Sequence, residues 1–198
     1  MNDVIHETVV TTVAPDGKPH VAPMGVRYRG AQIVELMPFK PSTTLDNVSA
    51  TGCAVVNILT DTRVFAGCVT RRRDWPTHPA EKIAGVRLAC ALSHLELRLA
   101  ERVDDPQRPV LRMARVHETI HSPFAGFNRA QAAVIEGAIL VSRLHMLPPQ
   151  KVDLELAYLQ IAIDKTAGPE EREAWGWLID AVQRHRAAIT DLAKGPSP

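Results

Sequence analysis

The chain has 198 residues, 45% of them hydrophobic, with 23 Lys and Arg against 22 Asp and Glu and a net charge of +1. That length suits one full domain, or one domain with a smaller appendage, and allows a well-buried core. The near-neutral balance makes no electrostatic case for nucleic acid or an anionic membrane, and no apolar run approaches the ~20 residues that span a bilayer.

The opening MNDVIHETVV lacks the basic start and long apolar core of a signal peptide. Ile5 to Val13 is rich in β-branched residues and ends at Pro15-Asp16-Gly17-Lys18, a turn signal. A second strand is predicted over His20 to Tyr28, and Arg29-Gly30 turns the chain into a third over Gln32 to Met37.

The segment MPFKPSTTLDNVSAT, residues 37–51, then brings a lysine, Lys40, next to the hydroxyls of Ser42, Thr43 and Thr44. These open a short helical pattern in which Leu45 and Val48 share a face. Free N–H groups, the positive end of a helix dipole and a lysine together make an anion site. Ordinary N-capping accounts for the same hydroxyls, since Ser and Thr are preferred caps with or without a ligand.

Cys53 to Leu59 is a near-continuous apolar run, as in a strand buried on both faces. Arg71-Arg72-Arg73 is the only basic run, and beside Asp74 it fits a solvated loop. From Leu95 to Val103 the alternation is clean, and Val110 to Val116 can return antiparallel across Asp104-Asp105-Pro106. Six or more strands joined by short turns favour an antiparallel barrel over a doubly wound sheet. Cys53, Cys68 and Cys90 are odd in number, far apart and in apolar company, which argues for buried thiols in a reducing compartment and a cytoplasmic protein.

His117-Glu118-Thr119-Ile120-His121 matches the zincin pattern HExxH. That motif needs a helix, and the preceding VLRMARV has the pattern of a strand, where residues four apart lie ~13 Å apart. Ser122-Pro123 would end any helix at once. His94, near a strand start, suits a satisfied structural histidine. No Rossmann, P-loop or nucleophile-elbow fingerprint occurs.

After Pro123 the period becomes helical. Asn128 is a plausible N-cap, with Ala132, Ile135, Ile139 and Ser142 at helical spacing to Leu144. A second helix is predicted from about Val152 to Ala167, and a third from Pro169 to about Ala193, ending at Gly195-Pro196. Trp175 and Trp177 on this third helix suit packing. The predicted division is therefore 1–122 and 123–198, a barrel domain and a helical subdomain too small to bury much alone.

Taken in order, Glu7-Thr8-Val9-Val10-Thr11-Thr12, Ala22-Pro23-Met24-Gly25-Val26, Pro38-Phe39-Lys40 with Ser42, Thr44 and Asn47, and Val55-Val56-Asn57-Ile58 with Asp61 form a pattern. It continues in Gly126-Phe127-Asn128-Arg129-Ala130, Ile135-Glu136 and Ser142-Arg143-Leu144. With this pattern the chain resembles the FMN-binding group called domain of unknown function 447, within the flavin-reductase-like split-barrel superfamily. The resemblance implies a six-stranded antiparallel split β-barrel with a C-terminal helical subdomain, a homodimer, and noncovalent FMN near the subunit interface. On it, Lys40, Ser42, Thr43 and Thr44 would hold the phosphate, with Asn47 part of the same motif. The Met24-Gly25-Val26 backbone would lie against the isoalloxazine, where Gly25 permits close approach. Asn57 and Thr60 would contact the ring or ribityl chain, and Thr11 and Thr12 would line the same cleft. Asn128 and Arg129 would add polar contacts from the other subunit. The function implied is a flavin-dependent oxidoreductase of unread substrate and electron donor, with no catalytic acid or base and no metal ligand assigned. A noncatalytic flavin-binding module is the second class, and a zinc hydrolase on His117, Glu118 and His121 the third.

Overall fold

Strand propensity and turn chemistry act together from the first residues. The β-branched run forms β1 (His6–Val13), and Gly17, at φ +87°, closes the turn into β2 (Pro19–Arg29). Gly30, at φ +66°, turns the chain into β3 (Ile33–Leu36). Ser42 caps α1 (Thr43–Thr51), which ends at a left-handed Gly52 before β4 (Cys53–Ile58). A small hairpin of β5 (Thr77–Pro79) and β6 (Val86–Leu88) precedes the long strands β7 (Ser93–Val103) and β8 (Val110–Ile120).

In this computed structural model, which describes residues 3–194, six antiparallel strands close a barrel in the order β1-β2-β3-β8-β7-β4. The predicted six-stranded barrel is therefore present. Val10, Val26, Val34, Leu36, Val56, Leu95, Leu97, Leu111 and Met113 fill it, and α1 adds Leu45 and Val48 to the same core. The β7 alternation divides as predicted, with Leu95 and Leu97 in the core and Glu96 on the opposite face. That face is covered too: Ile83, from the segment between β5 and β6, packs with Cys53 and Val55.

The chain divides into two compact units, one running to Thr60 and resuming over Arg73–Ala125, the other made of Asp61–Arg72 and the residues from Gly126. The helical unit thus includes α2 (Arg63–Val69), a segment that strand and helix periods leave with the barrel. It packs against α3 (Arg129–Ser142) and α5 (Pro169–Lys194), and α4 (Pro149–Thr166) lies along α3. The predicted stop at Gly195-Pro196 lies outside the described residues. On α3 the buried face is Ala130, Ala133, Val134, Gly137, Ala138 and Leu140, not the Ala132, Ile135, Ile139 stripe that spacing suggests. The reason is close helix packing: a Cβ on Gly137 would lie 2.9 Å from Cζ3 of Trp175. Trp175 is buried as predicted, its indole N–H donating to Oε1 of Gln160 at 2.7 Å. Among the described residues no helix is long and apolar enough to cross a membrane. Cys53 and Cys68 are buried and Cys90 is half-buried, and none of the three is in a disulfide.

Candidate functional site

Strand β3 ends at Leu36, and buried Met37 and Pro38 bring exposed Phe39 and Lys40 to the surface. The Arg108 guanidinium stacks 4.5 Å from the centre of the Phe39 ring. The Lys40 amide donates to the Gln107 carbonyl at 2.8 Å, and its ammonium donates to the Asp105 carbonyl at 2.9 Å. The loop is therefore tied to the β7–β8 turn, where the amides of Arg108 and Gln107, and more weakly Lys40, hold the Asp105 carboxyl below its ordinary range.

Ser42 then caps α1, its hydroxyl accepting from the Leu45 amide at 3.3 Å. The first intrahelical bond runs from the Asp46 amide to the Ser42 carbonyl at 3.0 Å. The amides of Thr43 and Thr44 precede it and have no helical partner, which is the usual condition of a helix start. Both readings of this segment hold at different atoms. Ser42 is a cap, and the two amides after it, with the exposed Thr43 hydroxyl, are donors at the positive end of a nine-residue helix. Thr44 and Asn47 face inward and are buried.

A second group of open donors and acceptors lies on β2. It pairs with β1 from Pro19 to Val26 but with β3 only from Val26 to Arg29. The other backbone edge of Ala22 to Gly25 has no barrel partner. Val26 itself is fully buried in the core, with Met24 packed against it. Gly25 does allow a close approach, and within the chain that approach is by Ile5: a Cβ would lie 2.5 Å from its Cγ2.

The remaining predicted residues are engaged elsewhere. Asn57 is fully buried, its amide donating to the Val9 carbonyl at 3.0 Å and Thr11 Oγ1 at 3.1 Å, while its Oδ1 accepts from the Leu88 amide at 2.8 Å. The Thr11 hydroxyl donates to the Val86 carbonyl. These two side chains therefore fasten β6 onto the barrel, and neither faces an open cleft. Asn47 Nδ2 donates to Thr12 Oγ1 at 3.0 Å, tying α1 to β1 from within. Thr60, half-exposed, follows the end of β4. In the helical unit Asn128 caps α3, accepting from the Ala130 amide at 2.7 Å and donating to the Thr166 carbonyl at 3.1 Å. Arg129 beside it is exposed.

The HExxH residues run along the end of β8 in an extended strand, as its pattern predicts, with His121 just past its last residue. His117 lies 3.2 Å from Oε2 of Glu81, whereas His121 Nε2 lies 2.9 Å from Nδ1 of His94. The two histidines serve separate partners, and among the described residues no three His, Cys, Asp or Glu side chains are grouped to hold a metal ion. His94 is fully buried with both ring nitrogens partnered, the second by Oε1 of Glu96 at 3.2 Å.

Glu96 is the polar residue whose importance the sequence does not announce. Fully buried, it accepts from the amides of Glu81 at 2.6 Å, Lys82 at 2.7 Å and Ile83 at 3.1 Å. Burial opposes its ionisation, but the Glu81 and Lys82 amides and His94 outweigh burial and hold the carboxyl below its ordinary range. Burial, followed by Arg87 and His94, pushes the His121 imidazole below 6.5. The available signal was a polar residue at alternate positions of three apolar strands: Thr11, Asn57 and Glu96.

Family models of the protein of unknown function DUF447 match most of the chain, the N-terminal domain model over residues 6–122 and its companion over residues 128–180. Among solved structures, the chain is similar to an FMN-bound DUF447 protein from Methanosarcina mazei, at 19% identity and TM-score 0.78, over 91% of this chain and 96% of that one. It is also similar to a putative flavin reductase with a split-barrel domain from Shewanella frigidimarina, at 12% identity and TM-score 0.53, over 63% of this chain and 74% of that one. A flavoredoxin from Methanosarcina acetivorans matches at 16% identity and TM-score 0.51, over 61% of this chain and 74% of that one. The fold is thus the split barrel of these proteins.

Proposed function

Since the chain belongs to the DUF447 family, we propose that it is an FMN-binding flavoprotein in which the flavin serves an oxidoreductase reaction. The observation that carries this reading is the likeness, along nearly the whole chain, to a member of the same family described as FMN-bound. The residues present fit the group. The open amides of Thr43 and Thr44, the Thr43 hydroxyl and the dipole of α1 suit a phosphate dianion, with Lys40 in the adjoining loop. The backbone edge from Ala22 to Gly25, which lacks a β3 partner, offers polar backbone groups to a ring edge, with the Met24 carbonyl already accepting from the Thr8 hydroxyl at 2.9 Å. Thr12, Asn47, Thr11 and Asn57 act from behind, keeping α1 and β6 fixed to the strands. Thr60, Asn128 and Arg129 stand as further contacts.

When bound, FMN supplies the electron transfer, and this chain's residues bind and orient it. The protein is proposed as a homodimer with the flavin near its interface. Leu154, Tyr158 and Ile161, one stripe at helical spacing on α4, are exposed and apolar, and a second copy would cover them. Three cysteines outside any disulfide suit a reducing, cytoplasmic setting.

The visible spectrum of the purified protein tests the proposal. FMN is expected to copurify or to bind on addition, and cofactor released by denaturation to run as FMN and not FAD. A colourless protein that takes up no FMN in a calorimetric titration refutes it. Bleaching of the bound flavin by NADH or NADPH without oxygen supports turnover, whereas failure with every donor at full occupancy supports a noncatalytic flavin module.

A further inference from the structure

The helical unit holds a cleft of ≈ 490 Å³ lined by Val69, Thr70, Arg71, Arg72, Ala181 and Arg184. Three of those six residues are arginines, and they come from two elements: the segment after α2, and α5 more than a hundred positions later. The sequence shows only the first two, as part of a basic run. What folding adds is Arg184, together with a lining that contains no carboxylate.

Two of the three arginines have a feature that solvation alone does not explain. Arg71 sits at φ +71°, the only non-glycine in the left-handed region among the described residues. It follows the end of α2, where the Arg72 amide bonds back to the Gly67 carbonyl at 2.7 Å, so the backbone there requires this conformation. Glycine adopts it freely, while a residue with a Cβ is strained there. The chain nevertheless carries arginine, whose side chain is then aimed by a fixed turn. Arg72 is held in place: its guanidinium lies 4.6 Å from the centre of the Trp177 ring, and its Nη1 donates to Thr70 Oγ1 at 2.9 Å. Among the described residues neither Arg71 nor Arg184 has a carboxylate within ion-pair distance. Two other arginines of the unit are paired, Arg63 with Asp61, Glu170 and Glu173, and Arg186 with Asp153.

We propose that this cleft is an oxyanion site that takes the phosphate of a small molecule, distinct from the phosphate position at α1. Guanidinium forks match phosphate oxygens in pairs, and a stacked arginine loses less freedom on binding than a mobile one. The cleft volume accommodates a phosphate with part of the molecule that carries it.

The test uses the full chain and an Arg71→Gly, Arg184→Gln double variant. Arg71→Gly relieves the left-handed strain, so the melting temperature is expected to hold or rise while binding falls, which separates lost binding from lost folding. Inorganic pyrophosphate, titrated by calorimetry, is expected to bind the parent saturably and the double variant at least tenfold more weakly. Loss with FMN but not riboflavin would place the flavin's own phosphate in this cleft and overturn its distinctness from α1. Loss with NADPH but not NADH would assign it to the 2′-phosphate of a nicotinamide donor. Because Lys40 and α1 are intact in the variant, FMN binding at the barrel is scored independently. The proposal is overturned if pyrophosphate, FMN and NADPH each bind parent and double variant equally, or if a well-folded parent binds pyrophosphate no better than chloride.

Discussion

Glu96→Gln asks whether a buried carboxylate, and not apolar packing alone, holds residues 80–85 on the barrel. In the parent the shielded carboxylate accepts from the amides of Glu81, Lys82 and Ile83 at 2.6, 2.7 and 3.1 Å, with His94 at 3.2 Å. A hydrogen bond to an ionised group contributes roughly 1.5–3 kcal/mol. Glutamine keeps one acceptor oxygen, enough for the Lys82 and Ile83 amides, which both bond Oε2. Its NH2 then faces the Glu81 amide, donor against donor. One charge-assisted bond is lost, two become neutral, and a buried donor is left unpaired, a loss of about 3 kcal/mol in all. At ~2–4 °C per kcal/mol for a chain of this size, the barrel transition falls by roughly 6–12 °C. Urea and thermal unfolding by circular dichroism measure the loss, and hydrogen exchange at amides 81–83 locates it. A loss below ~1 kcal/mol, with those amides as protected as in the parent, would refute the reasoning.

The same carboxylate sets a pH dependence. Its value in the fold lies below the ordinary 4.5, so the unfolded chain binds the proton first. The contribution is complete above 4.5 and drains away as the pH falls through and below that value. In Glu96→Gln this part of the acid limb should vanish.

Two imidazoles act earlier on the acid side. His20 and His121 both titrate below 6.5 in the fold, burial being the largest cause for each, so stability should drop as the pH falls through 6.5; a urea midpoint flat between about pH 7.5 and 5.5 would contradict this. Gly137→Ala, which on an exposed helix would stabilise, should instead destabilise by roughly 1–3 kcal/mol, because its Cβ would lie 2.9 Å from Trp175 and 3.1 Å from Leu178; thermal melts decide the sign. The proposed dimer should be seen by sedimentation equilibrium and tighten with FMN, whereas a flavin-loaded monomer well above micromolar would leave Asn128 and Arg129 acting only within their own chain.

Much of the barrel is legible because each strand carries its own local signal. β-branched runs, alternation in β7 and glycine turns at Gly17 and Gly30 all point the same way, to antiparallel strands in a barrel, while the order in which they close is given by the structure alone. The segment from Thr70 to Leu92 is not legible, for a physical reason. Its strands have three residues each and are held by polar side chains of other elements, Thr11, Asn57 and Glu96, whose partners cannot be read from spacing. α2, seven residues long, is too short to show a period. On α3 the apolar stripe that spacing suggests is outcompeted by a small-residue face, because Gly137 and Ala138 allow α5 to approach closely. At the site, residue types were readable but atoms were not: Ser42 is spent on its cap, and Asn57 on the backbone of β6.

Buried polar groups are costly unless partnered, so partnered and unpartnered groups carry different information. Asn57, Thr11, Asn47 and Asn128 are all matched inside the chain and act as scaffold. Open donors of the candidate site lie at the start of α1, and a single substitution isolates them. Thr43 is the first residue of the helix, where proline is tolerated because that N–H has no helical partner. Ser42 before it is already extended, at φ −151° and ψ 123°, as a residue preceding proline must be. Thr43→Pro should therefore keep α1 and remove one amide and one hydroxyl donor from the phosphate. At roughly 1.5–3 kcal/mol per charged hydrogen bond, FMN affinity should fall about ten- to a hundredfold for each donor lost. Lys40→Ala should fall by a similar factor, although its ammonium must first leave the Asp105 carbonyl. Riboflavin, which has no phosphate, should bind both variants and the parent nearly equally. If riboflavin and FMN weaken together while far-ultraviolet circular dichroism is unchanged, the start of α1 supports the fold alone, and the phosphate lies elsewhere.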